Sequence, residues 1–205
     1  NIPHRQIVLV HSPRASFASY LYSMLGTLRN TLPIEENDVS DSIKLLRKVE
    51  SKISSQNLSK TNLALELGGW ITNIPLIYYP YGLQSAAIRF KNSLQENSKI
   101  HAMAEDVIEA CHNGIMSWEK KTCVQPILLR GHDDHYKTKE RWNIVKEYFE
   151  DNNIDYKEII SVKGSILSKL ISMIYLLDYS TIYKAVLSKT DPSPINSIDY
   201  IKSRL

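Results

Sequence analysis

Apolar residues recur at two different periods along this chain, and the change of period divides it. Between Pro13 and about Asn30, Phe17, Tyr20, Leu21, Met24, Leu25 and Leu28 return every three to four positions, the spacing that gathers side chains on one helical face. Pro33 ends that stretch, because its ring cannot continue a helical turn. An acidic, solvated connection over 33–41 follows. Ile43, Leu46, Val49 and Ile53 then mark a second amphipathic helix over Ser40–Ser54, and Asn62–Leu67 reads as a third that Gly68-Gly69 stops. Ahead of all three, Arg5–His11 is rich in β-branched residues and predicts a strand or extended segment.

Past Gly69 the pattern alternates between strand and helix. Ile74–Tyr78 and Val124–Leu129 are apolar runs of strand length, Asp155–Val162 alternates, and His101–Ala104 is a weaker strand. Pro126 weakens the second of these runs, since proline cannot donate to a ladder. Helical stretches separate the strands: Leu83–Leu94, a short one to Ala110, Thr138–Glu150, the long apolar Leu167–Leu187, and a closing helix over Pro194–Lys202. Such alternation predicts an α/β fold of three layers, a parallel sheet flanked by helices and preceded by a helical linker. Sheets of this kind bind ligands outside the carboxyl ends of their strands. Here those ends lead into Tyr79–Gly82, the region after Ala104, and Arg130–His135.

Composition removes several classes of function. With 205 residues, 43% hydrophobic and 23% charged, the chain has the make-up of an ordinary globular protein. A net charge of +3 is too small to predict a nucleic-acid partner. No run approaches the ~18 consecutive apolar residues of a membrane span, so no membrane partner is expected. The start lacks a signal-peptide run, and two cysteines, Cys111 and Cys123, make neither a disulfide framework nor a metal set. A cytoplasmic location, no cofactor and no metal are the resulting expectations.

The chemistry concentrates in one segment. Glu96, just past the helix that carries Arg89 and Lys91, is either a solvated surface carboxylate or a base that swings into the cleft. His112, between Cys111 and Asn113, is a structural histidine or a proton donor suited to opening a cyclic sugar. Arg14 follows Pro13 at a helix start, where the dipole opposes a cation, so either it is incidental or it is held facing an anion. Lys202 alone reads as a solvated tail residue. His132, Asp133, Asp134 and His135 have the look of a metal cluster, but a capping network after a strand is the commoner arrangement.

In order along the chain, Pro13-Arg14-Ala15, Ile74–Tyr78, Ala87–Lys91 with Gln95–Lys99, Cys111-His112-Asn113, Leu129–Asp134, Tyr175–Tyr179 and Asp191–Pro194 leading to Lys202 resemble the bifunctional phosphoglucose/phosphomannose isomerases. The likeness implies the sugar-isomerase (SIS) fold. It also implies that 1–70 is the last extended segment and helical linker of a preceding SIS domain, and 71–205 the C-terminal SIS domain. It further implies interconversion of glucose 6-phosphate, and of mannose 6-phosphate, with fructose 6-phosphate through an enediol(ate), without metal. By the same likeness Glu96 is the base, Arg14 stabilises the intermediate, Lys202 assists at the ring oxygen, and His112 opens the ring from the neighbouring subunit of a homodimer.

Some positions depart from the family pattern. The turn Tyr79-Pro80-Tyr81-Gly82 is bulkier, Phe90 and Gln95 stand for Trp and Asn, and Gly114 stands for an acidic residue. The Ser/Thr-rich phosphate loop of the family's first domain has no counterpart here, Ser16 and Ser19 being poor substitutes. A non-catalytic sugar-phosphate-binding or regulatory SIS module is therefore the alternative reading.

Overall fold

A computed structural model describes His4, Gln6, Ile7 and residues 10–205. Three of the seven residues of the segment expected over Arg5–His11 lie outside the described residues, and the four described ones belong to no strand. Four parallel strands, β1 (Ile74–Tyr79), β2 (Met103–Asp106), β3 (Val124–Arg130) and β4 (Lys157–Ile160), lie in the order β2-β1-β3-β4. Pro126 is tolerated inside β3 because pairing with β4 begins only at Ile127, which leaves one side of the proline without a neighbouring strand.

The two-residue alternation of the strands sends their side chains into two separate cores. Ile77, Ile127 and Leu129 face α3 (Leu63–Trp70), α4 (Gln84–Asn97) and α7 (Ile166–Leu187), where Phe90, Leu94 and Leu177 are fully buried. Tyr78 and Leu128 face the other way, toward α5 (Val107–Ala110) and α6 (Tyr136–Asp151), with Trp142, Phe149 and Trp118. The result is the three-layer α/β domain that the alternation predicts. Before it come α1 (Phe17–Thr27), introduced by a 3-10 turn over Arg14–Ser16, and α2 (Glu36–Ile53). The chain closes with α8 (Asn196–Lys202).

Three of the boundaries that differ from the sequence reading bear on packing or on the site. Helix α2 starts at Glu36, so the acidic residues once assigned to a connection instead occupy its first turn, where Glu36 and Asp38 complement the helix dipole. Helix α4 runs on to Asn97, which puts Glu96 in its last turn rather than beyond it. Helix α3 passes straight through Gly68-Gly69 to Trp70. Gly68 is there for packing: a Cβ on it would lie 2.7 Å from the Ser180 carbonyl oxygen and 3.0 Å from Lys184 N on α7. Backbone touches backbone at that crossing.

Gly68→Ala is accordingly expected to lower stability by about 1–3 kcal/mol through overpacking. Gly69→Ala, whose Cβ would meet only Leu187 Cδ1 at 3.7 Å, is expected to raise it by up to ~1 kcal/mol through helix propensity. Urea midpoints of the two variants, moving in opposite directions, would bear this out.

By length and apolarity α7 could cross a membrane. In this fold it is a core helix, packed on α2, α3 and α4, and it buries Ser168, Ser172, Ser180 and Thr181 among its apolar residues. Helix α8 is the opposite case, exposed at every residue.

Candidate active site

Because β1 and β2 are parallel, α4 must return against the strand direction, and its last turn lies at the amino edge of the sheet. Glu96 thus sits away from the strand carboxyl ends where the sequence reading looked for ligands. A carboxylate in the last turn of a helix also opposes the dipole and the unpaired carbonyls there. Two cations relieve that. Lys99, turned back by a left-handed backbone at φ 57°, donates from Nζ to the Glu96 carbonyl oxygen. Arg14 Nη1 lies 3.0 Å from Glu96 Oε1, the two side chains being 17% and 35% exposed.

Arg14 is anchored from three directions. Its Nη2 donates to the Pro192 carbonyl at 2.8 Å and the Ser193 carbonyl at 3.0 Å, and its own carbonyl accepts from Arg89 Nη2 at 3.1 Å. Its Nη1, though buried, meets Glu96 too far off line for a hydrogen bond, so that contact is ionic only. Here is the explanation for a cation at a helix start: the carbonyls of residues 192 and 193 and the Glu96 carboxylate outweigh the local dipole.

Behind Arg14 stands a cross-link between α4 and α7. Arg89 donates to Asp178 Oδ2 through Nε at 2.9 Å and Nη2 at 2.6 Å, Ser93 Oγ donates to Asp178 Oδ1 at 2.9 Å, and the Arg89 guanidinium lies 4.0 Å over the Phe17 ring. Burial pushes the Asp178 carboxyl above its usual range, while Arg89 and Ser93 pull it back. The sequence reading assigned no role to Arg89, Ser93, Asp178 or Lys99. A lone aspartate inside the apolar α7 was the available signal, since a buried carboxylate requires a partner.

Two cavities share the Arg14–Arg89 wall. One, of about 550 Å³, follows the exposed face of α4 from Gln84 through Ile88 and Ser93 to Glu96. The other, of about 510 Å³, is mostly apolar and lies between α1 and α7, lined by Phe17, Ile174, Tyr175 and Ile182. Both fall in the size range of small-molecule sites. Only the first is lined by Glu96, whose carboxylate meets the Arg14 guanidinium there, whereas the Arg89–Asp178 pair lines the second.

Neither of the other two expected site residues lines these cavities. His112 follows α5, beyond the carboxyl end of β2 and in the opposite helical layer, exposed, with its backbone N–H on the Glu109 carbonyl. Lys202 is exposed at the end of α8, and its side chain makes no hydrogen bond or ion pair among the described residues. The fold therefore joins Arg14 with Glu96 and leaves His112 apart from them.

At the carboxyl edge the loop after β3 is a capping network. Asp134 Oδ2 accepts from Gly131 N at 3.0 Å and from Trp142 Nε1 at 3.1 Å. His132 Nδ1 is 2.7 Å from Asp133, and Lys169 Nζ is 3.0 Å from the same carboxylate. The contacts with His132 and Lys169 hold the Asp133 carboxyl down at about 2. Among the described residues no group of three or more His, Cys, Asp or Glu could hold a metal ion. Ser16 is also structural, accepting from Val10 N and donating to the Val10 and Ser12 carbonyls.

Comparison with known proteins agrees with this fold. Over 191 residues the chain is 28% identical to the bifunctional phosphoglucose/phosphomannose isomerase of Caldicellulosiruptor bescii, covering 90% of this chain and 55% of that protein. The enzyme of the same name from Aquifex aeolicus is 26% identical over 185 residues, covering 89% and 56%. The chain thus spans just over half the length of these relatives. A glucose-6-phosphate isomerase like protein from Thermus thermophilus shares the fold with a TM-score of 0.72 at 16% identity, over 89% of this chain and 62% of that one. The tagatose-6-phosphate ketose/aldose isomerase of Escherichia coli does so with a TM-score of 0.61 at 13% identity, over 86% and 52%. Residues 56–205 match the family described as the bacterial phospho-glucose isomerase C-terminal SIS domain, and the chain belongs to that family.

Proposed function

We propose that this chain is the proton-transfer half of a phosphosugar isomerase that interconverts glucose 6-phosphate, and mannose 6-phosphate, with fructose 6-phosphate. In this reading 71–205 is the C-terminal SIS domain and 1–70 the end of, and linker from, another. The observation that carries it is the Glu96 carboxylate beside the Arg14 guanidinium, 3.0 Å apart at the end of the α4 groove.

An aldose–ketose shift needs one base within reach of two adjacent carbons, and a cation where charge develops. Glu96 takes the proton from C2 of the open-chain aldose. The electron pair moves to the carbonyl oxygen as an enediolate forms, the proton of the C2 hydroxyl passes to the C1 oxygen, and Glu96 returns the carbon-bound proton to C1 as the C2 carbonyl forms. Arg14, held by the carbonyls of residues 192 and 193, stabilises the negative oxygen without having to reorganise. Its Nη1, off line toward Glu96, is placed to exchange that ionic contact for a ligand oxygen. Return of the proton to C2 from either face of the intermediate would produce both epimers.

His112 and Lys202 serve ring opening, in which the anomeric hydroxyl loses a proton and the ring oxygen gains one. Their support is the family resemblance. His112 lies apart from Glu96 in one chain, so this role calls for a homodimer in which each copy lends His112 to the other.

The direct test is conversion of fructose 6-phosphate in D2O, followed by NMR. Deuterium entering C2 of the aldose product marks proton transfer with solvent exchange. Conversion without any deuterium, together with undiminished conversion by Glu96→Gln, would favour a hydride shift and remove Glu96 from its role. Binding without conversion, in the natural polypeptide with all its flanking sequence, would leave the non-catalytic SIS module as the better description.

A further inference from the structure

The segment between α7 and α8 is fastened to the catalytic end of α4 by backbone carbonyls alone. Pro192 and Ser193 present theirs to Arg14 Nη2. The Pro194 carbonyl accepts from Lys99 Nζ at 2.7 Å, and the Pro192 carbonyl lies 3.4 Å from the same ammonium. Three successive carbonyls thus meet two cations. The strap is stiffened for that purpose: prolines fix φ at two of its positions, and Asp191 Oδ1 accepts from Ser193 N at 2.8 Å. Lys99 itself is held with its φ at 57°, a conformation unfavourable for a side chain bearing a Cβ.

We propose that Lys99 is a positioning residue, which clamps the 192–194 strap to the last turn of α4 and so fixes where α8 and Lys202 stand relative to Glu96. Helix α8 is seven residues long and exposed throughout, too short to hold a place by its own helical stability. Its attachment to the site is the strap. The ammonium is well suited to this, since its three donors are met by the Glu96, Pro194 and Pro192 carbonyls. It touches no carboxylate. Loss of Lys99 would free the strap on one side and leave Arg14 bonded to a segment that moves.

The effect on turnover rests on the isomerase reading, whereas the clamp does not, and the two separate by experiment. Nitroxides are placed on Glu140 of α6 and on Ser203 just past α8, both exposed, after Cys111 and Cys123 are replaced by serine. The inter-spin distance distribution is then measured in the parent, Lys99→Met and Lys99→Arg proteins. The parent is expected to give a narrow distribution, Lys99→Met a broad one, and Lys99→Arg a narrow one again. In the same three proteins without labels, carried in the full natural polypeptide, Lys99→Met is expected to lower kcat for fructose 6-phosphate by roughly tenfold to a hundredfold, the cost of a small misplacement. KM should change little, and Lys99→Arg should recover most of the rate.

An unchanged distribution in Lys99→Met overturns the proposal, whether or not activity falls. A broadened distribution in a protein whose parent converts no sugar phosphate supports the clamp and removes the isomerase reading instead.

Discussion

Glu96→Gln is expected to abolish sugar-phosphate isomerisation while leaving the protein folded and able to bind its ligand. Glutamine keeps the shape and one accepting oxygen but has no basicity. General-base catalysis is worth about 10²–10⁴ in rate, so kcat should fall by that factor. The structural cost is small. The lost ionic contact with Arg14 joins one mostly buried and one one-third-exposed side chain, without an aligned hydrogen bond, and is worth about 1 kcal/mol or less after solvent screening. The melting midpoint should therefore stay near the parent's, and titration calorimetry with fructose 6-phosphate should give a similar affinity. A variant that retained more than a small fraction of kcat would place the base elsewhere.

Subunit mixing is the second prediction with a large effect. Glu96 is at the amino edge of the sheet on the α4 side, and His112 follows the carboxyl end of β2 on the α5 side, so the sheet separates them in one chain. If both act on one sugar, they come from two copies. Glu96→Gln and His112→Ala homodimers should each be nearly inactive. After exchange of subunits, half of the dimers are mixed, and each mixed dimer has one site with both residues intact and one with neither. Activity should then return to about a quarter of the parent's, as two-fold symmetry requires. No recovery, despite exchange shown by native mass spectrometry, would exclude sharing of His112.

Several elements were legible from residue pattern because they depend on local chemistry. The apolar runs of strand length around Ile77 and Leu128 and the helical stretches of α4 and α7 followed from which side chains avoid water. The polar cluster His132–His135 after β3 reads as a capping network for the same reason, and in the fold Asp134 accepts from Gly131 N while His135 caps α6. The readings that failed involved partners distant in sequence. Gly68-Gly69 resembled a helix stop because isolated glycines usually are, yet Gly68 answers to Ser180, 112 positions away, where two helix backbones meet. The sequence pattern ends the helix at Leu94, the last apolar position of the stretch, which puts Glu96 beyond it. In the fold Asn97 is buried on Thr181 Oγ1, which draws the last turn of α4 onto α7.

The same division holds for the site. Family resemblance picked out Arg14, Glu96, His112 and Lys202, but residue type and spacing alone left each of them with a bland alternative. The sequence by itself determined the layer order, the apolar faces and the presence of a carboxylate in a basic, amide-rich stretch, since these are properties of a few neighbouring residues. Only the tertiary structure decided that Arg14 and Glu96 meet, that Asp178 anchors Arg89, and that Lys99 and Arg14 share one strap of carbonyls. Those contacts span tens to hundreds of positions, and their strength depends on burial and direction, which the chain acquires only on folding.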